Sequence, residues 1–164
     1  DMSDWPNSLY QNYVGGLPYV QPKLKKWWDQ GIDWIAELVM ETRKRKLEVF
    51  WNHRISEVFS TIGWKGSTGP VNPLLKAHPD WFVKSWYDQG LWNLASPEVR
   101  QYKLGYLTEL IQRYELDGIQ LDFARHVPCL PVGRQWELRE NVTEFVRMVR
   151  LMMLEMEKKL AMSK

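Results

Sequence analysis

The stretch Tyr114-Glu115-Leu116-Asp117-Gly118-Ile119-Gln120-Leu121-Asp122-Phe123-Ala124-Arg125-His126 decides how the rest of the chain is read. Asp117-Gly118 ends one element and turns the chain. Ile119 to Phe123 then alternates apolar and polar side chains, the period of a half-buried strand. Ile119, Leu121 and Phe123 share the face suited to packing against helices, and Gln120 and Asp122 share the other. Upstream, Ser96-Pro97-Glu98 is a helix start, with Ser96 as N-cap, Pro97 as first helical residue and Glu98 in the first turn. Leu104, Leu107, Leu110, Ile111 and Tyr114 recur at helical spacing and carry that helix to about Tyr114. Further upstream, Leu47-Glu48-Val49-Phe50-Trp51-Asn52-His53-Arg54 is rich in aromatic and branched residues and reads as a strand. A helical pattern from Lys23 to Lys46, broken near Gly31, precedes it, with Ile32, Ile35, Ala36 and Val39 on its apolar side. Downstream, residues 125–133 form a loop. Arg134 to about Leu160 then forms a final helix, with Trp136, Val142, Phe145, Val149 and Met152 or Met153 on its apolar side.

Strands that alternate with helices, and lie too far apart for a hairpin, imply an α/β fold with parallel pairing. In such sheets ligands bind at the carboxyl ends of the strands. Two places are selected, residues 52–57 and residues 122–126. The chain is expected to be one α/β segment over residues 1–164, with an irregular arm over residues 1–22. A long irregular loop over residues 56–96 includes a short helical turn at His78-Pro79-Asp80-Trp81. Loops of that length often carry function.

Asp122, at the end of its strand, is either a catalytic carboxylate or an acid that caps a loop or pairs with Arg125. In the earlier strand Phe50, Asn52 and Arg54 share one face, and Val49, Trp51 and His53 the other. With Asn52 and Arg54 facing inward, they join Asp122 in one site. Arginine grips a carboxylate or a hydroxyl through its fork of donors, and asparagine both donates to and accepts from a hydroxyl. Glu57, just past the strand, is a candidate second acid or else a solvated loop residue. His53 suits packing as well as chemistry. His53, His78 and His126 are too scattered for a metal site, and no metal or cofactor is expected.

Composition narrows the classes further. The chain has 164 residues, 45% hydrophobic and 26% charged, the balance of a globular protein. Its net charge of +2 is no nucleic-acid footprint. The basic run Arg43-Lys44-Arg45-Lys46 ends a predicted helix, where cations complement the macrodipole. No apolar run approaches the ~20 residues of a membrane span. The single cysteine, Cys129, excludes an internal disulfide, and its Pro-flanked loop is no setting for a nucleophile. The start at Asp1 shows no signal peptide, and a leader upstream of it would place the protein in the periplasm or outside the cell. Ten tryptophans are the unusual count. They serve a Trp-rich core or the flat walls of a sugar cleft, and Trp64, Trp81, Trp86 and Trp92 in the long loop are the candidates for the second role.

From Leu47 to Pro128 the chain resembles the glycosyl-hydrolase-like families related to family 10, within the wider TIM-barrel glycosidases. Three stretches carry the resemblance. They are Leu47 to Ile55, then His78-Pro79-Asp80-Trp81 with Asn93-Leu94-Ala95-Ser96-Pro97-Glu98-Val99-Arg100, and the opening stretch from Tyr114 to His126. The resemblance implies a parallel (β/α)8 barrel of TIM type and a carbohydrate substrate. It implies Asp122 as the strand-end acid, with Asn52, Arg54 and Arg125 lining the site. His53, His126, Trp81 and Trp92 are further candidates for holding sugar. Glycoside hydrolysis generally uses two carboxyl groups, so the partner of Asp122 is expected to be Glu57 or an acid beyond Lys164. A complete barrel generally needs roughly 200 residues or more. The chain is therefore expected to form part of one, completed by the remainder of the barrel or by self-association. The alternative is a non-catalytic carbohydrate-binding or structural module on a degenerate barrel.

Overall fold

The computed structural model describes residues 26–56 (Trp28 apart), 73–84 and 90–162 (Arg125 apart). Helix α1 spans Trp34–Lys44, and strand β1 spans Phe50–Arg54. A short helix α2, Pro73–Ala77, leads into a 3-10 turn, Pro79–Trp81. Two short strands follow, β2 (Phe82–Val83) and β3 (Leu91–Trp92). Helix α3 covers Pro97–Arg113 and strand β4 covers Gly118–Asp122. The chain closes with α4, Gln135–Leu138, and α5, Glu140–Met162.

The two main strands pair in parallel, in the register Phe50 with Gly118, Asn52 with Gln120 and Arg54 with Asp122. Strands β2 and β3 form a separate antiparallel ribbon. Thus the region from 56 to 96 is not wholly irregular: its described part holds α2, the 3-10 turn and this ribbon. Two-residue strands carry too little alternation to be seen in a pattern. Gly90 sits where the two strands of the ribbon approach closely. Gly90 has φ +74°, and a Cβ there would lie 2.6 Å from the Val83 carbonyl oxygen. Gly90→Ala is expected to cost about 2 kcal/mol or more, from left-handed strain plus the backbone clash. A fall in the denaturant midpoint checks this.

Local chemistry sets the boundaries of the longer elements. Asp33 caps α1, accepting from the Ile35 and Ala36 N–H groups at 3.0 and 3.1 Å. Ser96 caps α3 by accepting from the Val99 N–H at 3.2 Å. Asp117 ties the amino ends of the two strands together. Its carboxylate accepts from the Val49 N–H at 2.6 Å and from Arg43 at 2.9 Å. Those bonds hold its carboxyl below the usual carboxylate range. Arg43 also donates to the Glu115 carbonyl. Part of the basic run thus serves as a strut at the closed end of the sheet as well as a helix terminus.

The core lies on one side of the sheet. Trp51, Ile119, Leu121 and Phe123 pack toward a buried cluster that includes Ile35, Leu107, Leu110 and Phe145. The buried stripe of α3 is Val99, Arg100, Lys103, Tyr106, Leu107 and Leu110. It keeps Leu107 and Leu110 of the expected stripe but is rotated away from Leu104 and Ile111. Those two are only partly buried. The final helix is interrupted at Arg139, and Trp136, expected in the core, is 80% exposed. Among the described residues, no helix is long and apolar enough to cross a membrane.

Helix direction fixes which end of the sheet is which. The residues ahead of α3 join the chain just past β1 and β4. Trp92 donates its N–H to the Ser56 carbonyl at 3.1 Å, and Leu94 to the Cys129 carbonyl at 2.8 Å. So α3 begins at the carboxyl end of the sheet and ends near Asp117 at the amino end. Arg100, in its first turns, bonds Asn141 Oδ1 at 3.0 Å and pairs with Glu144 at 2.8 Å. Helix α5 therefore also begins at the carboxyl end.

Candidate active site

The face of the sheet opposite the core carries Phe50, Asn52 and Arg54 from β1 and Gly118, Gln120 and Asp122 from β4. Phe50, Asn52 and Arg54 are exposed. Gly118 leaves room for the Phe50 ring, which would stand 2.7 Å from a Cβ. Asn52 Nδ2 donates to Gln120 Oε1 at 3.0 Å, so two register partners form one polar rung. The next rung toward the carboxyl end is Arg54 beside Asp122. Pleating alone produces this ladder of polar side chains, since alternate residues of paired strands project to one face. Gln120 was placed beside Asp122 by alternation but not counted among the site residues. Its bond to Asn52 is the signal that would have added it.

Asp122 is half-buried. Its carbonyl accepts from the Ile55 N–H at 3.0 Å, and its Oδ1 accepts from the Ala124 N–H at 2.9 Å. The side chain thus braces its own loop while standing at the end of the open face. His126, four residues on, has φ +60°. That is an uncommon conformation for a residue with a side chain, of the kind that collects at functional sites.

His53 does not join these residues. Strand alternation turns it to the helix side, where it is 5% exposed, with its ring centroid 5.6 Å from that of Tyr106. Burial, with the Lys103 charge nearby, pushes its pKa well below the ordinary histidine value. Folded His53 is therefore neutral where an unfolded imidazole takes up a proton. Its contribution to stability is present above about pH 6.5 and is lost as pH falls toward the depressed folded value. His53→Phe is expected to flatten the decline in Tm from about pH 6.5 downward, which thermal melts across that range check.

The tryptophans divide differently from expectation. Trp92 is fully buried in the β2–β3 ribbon, tilted against Phe82 and stacked on Tyr102, with Lys103 Nζ 5.2 Å above its ring. Trp81 is half-buried and stacks on His78 at 4.1 Å. Both pack between the ribbon and α3 rather than over the open face, because short antiparallel strands with large rings need a helix to cover them. Glu57, Arg125, Trp64 and Trp86 lie outside the described residues. Cys129 is buried enough that its thiol is pushed up, which keeps it un-ionised at neutral pH. Among the described residues, no group of histidine, cysteine and acidic side chains comes together in a metal-binding arrangement.

The glycosyl hydrolase YngK of Bacillus subtilis (strain 168) is 28% identical over 97 residues, which is 57% of this chain and 18% of YngK. This chain thus spans about a fifth of the length of that curated relative. The crystal structure of a noncanonic maltogenic alpha-amylase, AmyB from Thermotoga neapolitana, aligns with 66% of this chain and 25% of its own. The identity is 17% and the TM-score 0.41. Residues 6–132, well over half of the chain, match the family described as glycosyl hydrolase-like 10. The chain belongs to that family.

Proposed function

We propose that this chain is part of a (β/α)8-barrel glycoside hydrolase, in which the open face of β1 and β4 forms one wall of the sugar-cleaving site. A single observation carries the reading. The parallel register sets Asn52 beside Gln120 and, at the carboxyl ends of the strands, Arg54 beside Asp122, on the face opposite the described core. That is the end where barrel enzymes assemble their catalytic groups. Asp122 serves as one of the two carboxyl groups. The second is Glu57 or an acid contributed from outside these residues. One carboxyl protonates the glycosidic oxygen as the bond to the anomeric carbon breaks. The other attacks that carbon or removes a proton from the water that does. Asn52, Gln120 and Arg54 hold sugar hydroxyls, and Arg125 and His126 are further candidates for contacting the sugar. The substrate is a polysaccharide or oligosaccharide. The remaining strands, or a second copy, cover the open face.

A second reading has one observation in its favour. The bond from the Ala124 N–H to Asp122 Oδ1 is what a purely structural acid would make. The protein would then bind carbohydrate without cleaving it. Hydrolysis of a panel of α-glucans, β-glucans, xylan and chitin by the full-length protein, with and without Asp122→Asn, separates the two. Turnover that survives the substitution unchanged removes Asp122 from the chemistry.

A further inference from the structure

Trp136 is the one large ring that the helical pattern assigned to the core and the fold leaves 80% exposed. It is not loosely held. The Arg139 guanidinium lies 4.3 Å from the centroid of its ring, and Arg139 Nη1 donates to the Trp136 carbonyl at 2.6 Å. A cation stacked on one face of an indole fixes the ring and leaves the opposite face to solvent. The neighbouring side chains Arg134, Glu137 and Glu140 are charged and exposed. Arg134 and Glu137 pair at 2.6 Å. A single flat ring set among charges is a poor centre for an apolar protein interface, whose core is depleted of charge. It is a good match for a pyranose, which offers a flat C–H face and a rim of hydroxyls.

Its place in the fold is equally specific. Trp136 lies in α4, immediately before α5, and the bonds of Arg100 to Asn141 and Glu144 set the start of α5 at the carboxyl end of the sheet. It follows the loop that leaves Asp122. The residue also lies just beyond the residues matched by the family, which end at 132. We infer that Trp136, braced by Arg139, is a stacking platform on the rim of the candidate site, taking a pyranose ring of a longer oligosaccharide outside the position of bond cleavage. This rests on the carbohydrate reading proposed above.

The test uses the full-length protein and its Trp136→Ala and Trp136→Phe variants, assayed on maltohexaose, cellohexaose, xylohexaose and chitohexaose and on the matching disaccharides. For the hexasaccharide that the wild type cleaves, Trp136→Ala is expected to raise KM about tenfold with kcat unchanged. KM for the disaccharide should stay the same, since it does not reach the rim. Trp136→Phe, which keeps a flat ring, should stay within about threefold of wild type. An unchanged hexasaccharide KM in Trp136→Ala overturns the platform while leaving the hydrolase reading standing, because the wild type still turns over. A change in sedimentation without a change in KM also overturns it, and assigns the ring to a protein contact. A wild type that neither binds nor cleaves any of these sugars overturns the hydrolase reading and the platform together.

Discussion

Arg100→Leu is expected to destabilise the protein by about 3 kcal/mol, the cost of leaving buried acceptors without their charged donor. Arg100 is buried in the first turns of α3. Its Nη1 donates to the Leu94 carbonyl at 2.7 Å, to the Ala95 carbonyl at 3.2 Å and to Asn141 Oδ1 at 3.0 Å. Its Nη2 pairs with Glu144. Leucine fills much of the volume but satisfies none of these groups. The Glu144 side chain is 55% exposed and can return to water, so the pair itself contributes little. The penalty comes from the Leu94 carbonyl and the Asn141 amide. At this chain length the loss corresponds to a drop in Tm of roughly 6–12 °C. Glu144→Gln, by the same reasoning, should change Tm very little. Arg100→Lys should fall between, because an ammonium cannot span acceptors on a loop and a second helix as the guanidinium fork does. Thermal melts of the three variants check the ordering.

The second large effect is chemical. Asp122→Asn is expected to lower hydrolysis by about 10²–10⁴-fold, the usual contribution of a positioned acid or base. The substitution keeps a carbonyl oxygen where Oδ1 accepts from the Ala124 N–H. The loop should therefore stay in place and Tm should barely move. Asp122→Ala removes the charge and the loop bond together. It should lose the same activity and in addition about 1 kcal/mol of stability. The pair of variants separates the two roles of one side chain. An Asp122 that only braced its loop would lower Tm as alanine and leave turnover intact as asparagine.

Much of this arrangement was legible in the sequence, and the reasons are particular. Ser96-Pro97-Glu98 is a local signal with a local cause, and α3 begins at Pro97. The alternation in Ile119 to Phe123 and in Phe50 to Arg54 sets the faces correctly, because the period of a strand is fixed by its geometry. Asn52, Arg54 and Asp122 therefore meet on one side. Alternation also sets the face that His53 takes, but its burial comes from Tyr106 and Lys103 of α3, which no pattern within β1 reports. The rotated stripe of α3 had no readable sign. Lys103 is fully buried with its Nζ over the Trp92 ring, while a lysine in a helix is ordinarily assigned to solvent. That contact joins residues from separate elements, and periodicity within one helix does not report it. Trp136 failed in the opposite direction. At about 100° per residue Trp136 falls opposite Phe145, and the backbone stays helical through Arg139 (φ −55°, ψ −31°), so the ring turns away from the core.

On the proposed reading, the face of β1 and β4 opposite the described core is one wall of a sugar-cleaving site. The most direct measurement is the distance from the Asp122 carboxyl to the nearest second carboxyl on that face in a crystal structure of the full-length protein with bound oligosaccharide. The prediction is a glutamate or aspartate, Glu57 or a residue outside this segment, at about 5–9.5 Å across the glycosidic bond, the span covered by retaining and inverting enzymes. A bound sugar with no second carboxyl in that range would contradict hydrolysis at this site and leave a carbohydrate-binding module in its place.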